Sequence, residues 1–224
     1  LKISPGQYVA IVGKTGCGKS TLMRLMLGLE KARKGVIYYD NKDIEKIDLK
    51  SLRQKIGVVM QDGKLFHGDI LSNITIASPN IPTEKVWEAA EIAGIADDIK
   101  KMPMGIKTIV SEGSRGISGG QKQRILIARA IVTNPKILIL DEATAAMDTQ
   151  TEHQIQTALD KVTKGRTTII IAHRLSTLKN ADKIIVIEDG KIAEQGKPSK
   201  LLAEKGVYHA DGTGPGTGSA RHRP

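Results

Sequence analysis

The sequence predicts an α/β fold with mainly parallel strands, and two observations support this. Residues 8–12 form a short apolar run of strand type, which is followed by a glycine-containing loop and by a run of helix-forming composition at 21–27. Residues 137–140 and 168–172 are continuous apolar runs of the kind found in parallel strands that are covered on both faces. The chain of 224 residues is long enough for one sizeable core, or for a core with a small subdomain.

The loop between the first strand and its helix has the spacing of a phosphate-binding loop. A glycine opens it and Gly-Lys-Ser closes it. Glycines let backbone N–H groups approach a phosphate without a Cβ clash, and the helix N-terminus adds positive potential. Lys19 is then placed to reach the β- and γ-phosphates, and Ser20 to bind Mg²⁺ through its hydroxyl. The expected nucleotide contacts are Gly13, Lys14, Thr15, Gly16, Cys17, Gly18, Lys19, Ser20 and Thr21.

Two acidic residues follow the apolar run at 137–140. Asp141 comes at the carboxyl end of this strand, which is the edge where open α/β sheets bind their ligands. We therefore expect Asp141 to hold Mg²⁺, directly or through water. Glu142 is free for another task, and beside a γ-phosphate that task is to orient or deprotonate a water molecule.

A second helix start with anion-binding character lies upstream of these carboxylates. Ser118 is a favourable N-cap, and Gly119 and Gly120 permit another group to approach closely. The helix is predicted to continue through residues 122–130. Downstream, His173 directly follows the last of the apolar runs described above.

With these segments in this order, the chain resembles the ATP-binding cassette (ABC) family over nearly all of residues 1–208. Residues 13–20 match the Walker A motif, and Asp141 and Glu142 match the Walker B aspartate and the catalytic glutamate. The other matches are Gln61 in the Q-loop, residues 117–121 in the family signature (with Ile117 where leucine is usual), residues 145–148 in the D-loop (with Asp148 kept and its neighbours altered), and His173 as the switch histidine.

This resemblance implies a P-loop NTPase with a RecA-like ATP-binding core and an α-helical signature subdomain. We assign the core to residues 1–61 and 133–208, and the helical subdomain to residues 62–132. Within the helical part, Thr83 is predicted to cap a helix. Near the end of the core, Asp189-Gly190 between two apolar stretches predicts a two-residue β-hairpin turn.

The segments next to two of these motifs indicate the branch of the family. Residues 61–74 look like the exporter form of the segment that follows the Q-loop, and residues 108–113 are similar to the exporter X-loop. The nearest similarity is to cassettes of bacterial peptide or bacteriocin exporters. This implies a membrane-spanning exporter domain as a partner, at the cytoplasmic face of the plasma membrane.

The resemblance also implies how the chain works. Two copies are expected to form a head-to-tail homodimer, with each ATP between Walker A of one copy and the signature of the other. ATP and Mg²⁺ are the implied cofactors, with Glu142 as general base and His173 against the γ-phosphate. Asp148 is implied to serve the D-loop, and it is also suited to cap the following helix. The implied catalytic residues are Lys19, Gln61, Glu142 and His173; the metal-binding residues are Ser20, Gln61 and Asp141; further nucleotide contacts are Gln61, Ser118, Gly119, Gly120, Gln121, Asp148 and His173.

The composition limits the alternatives. The net charge is +10, which is one mark of nucleic-acid-binding proteins. Here the basic residues are spread along the chain and only 3% of residues are aromatic, so no nucleic-acid partner is expected. The alternative interpretation is a soluble ABC ATPase that acts on nucleic acid or ribosomes. The lack of a basic, aromatic-rich insert disfavours it. A regulatory module without hydrolysis is disfavoured by Glu142 and His173. The single cysteine, Cys17, excludes an internal disulfide.

The sequence also makes predictions about the two ends of the chain and about membrane-spanning segments. No apolar run approaches the ~20 residues of a membrane helix. The family's adenine-stacking aromatic residue lies well before Walker A, whereas only 12 residues precede Gly13, so we expect a clipped start. Tyr8 is expected to face the core or solvent rather than adenine. Residues 209–224 are expected to be disordered, with a composition typical of an appended segment.

Overall fold

The computed structural model describes residues 1–110, 116–141, 149–172, 178 and 180–203. The chain divides into two compact units, and each is described by itself. The first unit comprises Leu1–Lys46 and Ile169–Pro224, and the second comprises Ile47–Thr168. The predicted division into a core and a helical subdomain stays a prediction.

The elements follow one another in the α/β manner that the sequence predicts. The strands are β1 (Tyr8–Val12), β2 (Tyr38–Tyr39), β3 (Lys42–Asp43), β4 (Ile56–Val59), β5 (Gly68–Asp69), β6 (Ile109–Val110), β7 (Ile137–Asp141), β8 (Thr167–Ile171), β9 (Lys183–Glu188) and β10 (Lys191–Gly196). The α-helices are α1 (Lys19–Met26), α2 (Leu49–Gln54), α3 (Ile70–Thr75), α4 (Thr83–Ile92), α5 (Ala96–Lys101), α6 (Gly119–Ile131), α7 (Thr149–Val162) and α8 (Pro198–Ala203). Short 3-10 turns lie at Ile44–Lys46 and Gly105–Lys107.

In the first unit, the strands lie side by side in the order β10–β9–β1–β8, and β8 contributes its residues 169–171 to this unit. β1 and β9 are parallel, whereas β9 and β10 form an antiparallel hairpin. The β1 residues Val9, Ala10 and Ile11 are fully buried, as expected for a strand that is covered on both faces, and Tyr8 at its start is half-buried. Both the predicted strand at 8–12 and the predicted hairpin are therefore confirmed. The hairpin turn has positive φ at Asp189 (47°) and Gly190 (73°), as a type I′ turn requires.

In the second unit, β4 and β7 are parallel neighbours, and Val59 is paired with Leu140. The strand predicted at 137–140 is confirmed. α6 packs against β4, and most of its residues are buried. Gly57 permits this contact, because a Cβ at that position would lie 2.3 Å from the carbonyl oxygen of Ala130 near the end of α6.

The start of α4 differs from the prediction. Thr83 is the first residue of the helix and the cap position is Pro82, so the expectation that Thr83 caps the helix is wrong. The reason is that the carbonyl of Pro82 already accepts bonds from the N–H groups of Lys85 (3.0 Å) and Val86 (3.4 Å). Within the described ranges, no helix of the chain has the length and apolar character needed to cross a membrane.

Candidate nucleotide-binding site

The glycine loop between β1 and α1 has the backbone geometry that its sequence predicts. Gly13, Gly16 and Gly18 all have positive φ (149°, 83° and 106°), a range that residues with side chains rarely adopt. Gly18 is the N-cap residue of α1 and makes no side-chain cap bond. The first N–H groups of the helix are thus left to a ligand or to water. This is the arrangement in which a helix N-terminus binds an anion.

Lys19 lies at the start of α1 and is only 5% exposed. Its ammonium group donates to the carbonyl oxygens of Gly13 (2.6 Å) and Lys14 (2.9 Å), and it is 3.7 Å from Cys17 Sγ. Carbonyl oxygens solvate the ammonium group, but they do not neutralise its charge. The loop therefore holds a largely buried positive charge that a phosphate group would neutralise.

The β9–β10 hairpin lies directly against this loop. The N–H of Gly190 donates to the carbonyl oxygen of Cys17 at 3.2 Å. A Cβ at Gly13 would lie 2.2 Å from the carbonyl oxygen of Ile187 and 2.7 Å from Cys17 Sγ. Cys17 itself is buried, in keeping with a small residue that fills space in the loop. The sequence indicated the hairpin, but it carried no signal that the hairpin would support the phosphate-binding loop.

The predicted signature segment forms the start of α6 in the second unit. Ser118 is the N-cap residue, as predicted, and its Oγ accepts a hydrogen bond from the N–H of Gln121 at 3.2 Å. The side-chain Oε1 of Gln121 accepts in return from the N–H of Ser118 at 3.0 Å, which completes a capping box. Because Ser118 uses its oxygen as an acceptor, its hydroxyl hydrogen remains available for donation.

Packing within the unit explains only one of the two glycines in the signature segment. A Cβ at Gly120 would lie 2.3 Å from Thr151 Cγ2 of α7, so a side chain there would force Thr151 to shift. A Cβ at Gly119 would meet nothing within 4 Å in the described part of the chain. Packing thus accounts for Gly120 and leaves the surface at Gly119 open to an approaching group.

Gln61 and Asp141 follow neighbouring strands of the second unit. Asp141 is the last residue of β7 and is 8% exposed, whereas Gln61 is exposed two residues after the end of β4. Because β4 and β7 are parallel and in register at Val59 and Leu140, both residues lie at the carboxyl edge of this strand pair. An amide oxygen and a carboxylate oxygen at this edge are ligands of the type that Mg²⁺ prefers.

The segment after Gln61 is held in place by residues that the sequence analysis did not select. Asn73 is buried, and its side chain accepts from the N–H of Phe66 and donates to the carbonyl oxygen of Phe66. Arg129 of α6 donates to the Asn73 carbonyl oxygen (2.7 Å) and to its Oδ1 (2.8 Å). Its guanidinium lies 5.3 Å from the Phe66 ring centroid, and Phe66 is 54% exposed. These contacts support an exposed aromatic side chain.

Several predicted residues fall outside the described part of the chain. They are Glu142, Asp148, His173 and residues 111–113 of the predicted X-loop, together with the tail at 209–224. The roles assigned to them stay predictions.

The strand–glycine loop–helix unit with its buried lysine defines a nucleotide-binding domain of the P-loop class. The model of the family described as "ABC transporter" matches residues 1–145, and the chain belongs to this family. It is 50% identical over 210 residues to the alpha-hemolysin translocation ATP-binding protein HlyB of Proteus vulgaris, covering 93% of this chain and 30% of that protein. It is also 50% identical over 210 residues to the toxin RTX-I translocation ATP-binding protein of Actinobacillus pleuropneumoniae, covering 93% of this chain and 30% of that protein.

Among solved structures, the chain is similar to a bacterial Atm1-family ABC exporter with ATP bound. The TM-score is 0.89 at 42% identity, and the match covers 99% of this chain and 39% of that one. The expected family, fold and ATPase class are thereby confirmed. The chain spans about 30% of the length of the curated relatives named above.

Proposed function

We propose that this chain binds and hydrolyses Mg²⁺–ATP as the cassette of an exporter. The observation that carries the proposal is the largely buried Lys19 ammonium, held by loop carbonyls beside the uncapped start of α1. In this proposal Lys19 and the loop amides bind the phosphates, and Thr21 adds a contact from the first turn of α1.

Ser20, Gln61 and Asp141 are proposed to hold Mg²⁺ and to order water. Hydroxyl, amide and carboxylate oxygens are hard donors of the kind that this ion prefers, and the family pattern assigns all three residues to it. Bound Mg²⁺ would neutralise charge on the phosphates during phosphoryl transfer. Glu142 is proposed to take a proton from the attacking water, and His173 to contact the γ-phosphate. The match of the sequence to the family pattern supports these two roles.

We propose that two copies pair head to tail when ATP binds. One chain contains two helix starts suited to an anion, at Gly18 and at Ser118. In the paired state, the capped Ser118 and the open surface at Gly119 would meet the triphosphate bound by the other copy, and Asp148 would lie near the same contact. In a two-fold arrangement, each triphosphate contacts the helix start at Gly18 of one copy and the helix start at Ser118 of the other. Both sites are then filled in the dimer, and no third copy can be added at them.

The proposed partner is the membrane-spanning domain of an exporter, at the cytoplasmic face of the plasma membrane. The exposed Phe66, held by Arg129 and Asn73, lies in the segment that resembles exporters. The named relatives are translocation ATP-binding proteins for toxins, so we propose a polypeptide cargo. That the cargo is a bacteriocin stays a prediction. These relatives argue against an ATPase acting on nucleic acid or ribosomes.

The chemical role is tested with Glu142→Gln. We expect ATP affinity within a few-fold of wild type and a fall in hydrolysis on the order of 10²-fold or more, the scale of losing a general base. Isothermal calorimetry and steady-state phosphate release measure the two quantities. Glu91→Gln makes the same change at an exposed glutamate of α4 and should leave both unchanged. Near-wild-type turnover in Glu142→Gln would remove Glu142 from this role.

The pairing is tested by light scattering of Glu142→Gln with ATP. We expect ATP-dependent dimers, and wild-type specific activity that rises with protein concentration. Ser118→Arg should block the dimers while ATP binding persists, because the arginine occupies the proposed contact surface. Ser199→Arg places the same side chain at an exposed serine of α8 as a control. A protein that stays monomeric with ATP at high concentration would contradict the pairing.

A further inference from the structure

Asp98, near the start of α5, connects two residues of the signature helix. Its Oδ1 accepts a hydrogen bond from Gln121 Nε2 at 2.9 Å, and its Oδ2 accepts one from the Arg124 guanidinium at 3.0 Å. Arg124 is 7% exposed and also donates to the carbonyl oxygens of Gly94 and Gly120 (the latter at 3.3 Å). This network therefore ties the first turn of α6 to the end of α4 and to α5.

The chemistry of a carboxylate determines which way the Gln121 amide faces. An ionised carboxylate only accepts hydrogen bonds, so the Gln121 NH₂ group must point to Asp98. The oxygen of the same amide must then point away from Asp98, where it accepts from the N–H of Ser118. Asp98 thus selects the one orientation of Gln121 that completes the capping box.

We infer that Asp98 is a positioning residue for the signature segment: through Gln121 it fixes the capped conformation of Ser118. This inference rests on the proposed function for its consequence, which is that Ser118 is presented in the geometry needed for ATP-dependent pairing. Asp98 does not itself touch the nucleotide in this proposal.

The inference predicts that Asp98→Asn disturbs the capping box, although asparagine has nearly the same shape as aspartate. Two donors, Gln121 Nε2 and Arg124, face position 98, and asparagine offers one acceptor oxygen where aspartate offers two. If the asparagine oxygen faces Arg124, its NH₂ faces Gln121. The Gln121 amide must then lose this contact or turn over, and turning over places NH₂ against the N–H of Ser118.

Gln121→Glu combined with Asp98→Asn restores the pattern of donors and acceptors. The glutamate carboxylate accepts from both the Ser118 N–H and the asparagine NH₂, and the asparagine oxygen still accepts from Arg124. Gln121→Glu alone places two carboxylates against each other. A role for Asp98 in general helix stability predicts no such rescue.

The test measures amide hydrogen exchange at Ser118 and Gln121 in the full 224-residue chain without nucleotide. Asp98→Asn should speed exchange at these amides by about tenfold, the scale of one lost hydrogen bond. The double variant should bring the rate back toward wild type. Asp97→Asn is the matched control, because Asp97 lies in the same helical turn with its side chain 88% exposed. Equal exchange rates in Asp98→Asn and Asp97→Asn, or no rescue, would overturn the inference.

ATP-dependent association in the Glu142→Gln background gives the functional readout. We expect Asp98→Asn to weaken association by about tenfold while ATP affinity of the monomer stays within twofold of the parent protein. Asp98→Asn that speeds exchange but associates normally would overturn the functional half of the inference. If the parent protein itself does not associate with ATP, the proposed pairing fails, and the exchange data still decide whether Asp98 orients Gln121.

Discussion

Gly13→Ala is the substitution for which the structure makes the sharpest prediction. The new methyl group would lie 2.2 Å from the carbonyl oxygen of Ile187, whereas ordinary contacts begin at 3.4 Å. The loop or β9 must therefore move by about 1.2 Å, and the backbone oxygen of Ile187 cannot rotate away because Ile187 is paired with Ile192 in the hairpin. The φ of 149° adds strain for any residue with a Cβ.

The expected loss of stability follows from the clash and from the backbone strain. Overpacking of a tight site costs about 1–3 kcal/mol, and a strained backbone conformation costs about the same again. We expect Gly13→Ala to lower the free energy of unfolding by about 2–6 kcal/mol. Displacement of the loop should also disturb at least one charge-assisted hydrogen bond to phosphate, worth about 1.5–3 kcal/mol. ATP affinity should therefore fall by about tenfold or more.

Gly57→Ala is the matched control for this prediction. Its new Cβ would lie 2.3 Å from the carbonyl oxygen of Ala130, almost the same clash, but on β4 rather than in the phosphate-binding loop. Denaturant unfolding measures stability, and calorimetry measures ATP affinity at a temperature where each variant is folded. Both variants should lose stability and only Gly13→Ala should lose affinity. Wild-type affinity in Gly13→Ala, or an equal loss in both variants, would refute the reasoning.

Three further predictions follow from single features. ATP and GTP should bind the 224-residue chain with nearly equal affinity in calorimetry, since the proposed contacts reach the phosphates; a tenfold preference for ATP would show that a residue of the chain recognises adenine. Burial raises the pKa of Tyr39 to about 12 from 10.0, so its contribution to stability is complete below pH 10 and is lost as the pH rises toward 12. Tyr39→Phe should flatten this fall in unfolding experiments, with the exposed Tyr38→Phe as a control, and an unchanged slope would contradict it. Gly119→Ala should leave stability equal or raise it by up to about 1 kcal/mol, yet weaken ATP-dependent association; normal association would show that the open surface at Gly119 is not a contact.

Much of the fold and of the candidate site could be predicted because the signals are local. The strand at 8–12, the glycine loop and α1 follow one another directly, and the Ser118 cap needs only the next three residues. The hairpin turn at 189–190 is likewise set by its own two residues. Such features depend on backbone conformation and on short-range hydrogen bonds, which residue type restricts strongly.

The sequence by itself determined that this chain has a phosphate-binding loop, a capped signature helix and an acidic strand end in family order. Only the tertiary structure decided what supports them: Ile187 and Gly190 against the loop, and Asp98 against Gln121. Gln121 is 23 residues from Asp98 and Gly190 is more than 170 from Cys17, and both contacts join polar groups with many equivalents elsewhere in the chain. The spacing of apolar residues along the sequence cannot predict such partners. Packing of whole helices and strands determines which polar groups come within hydrogen-bond distance.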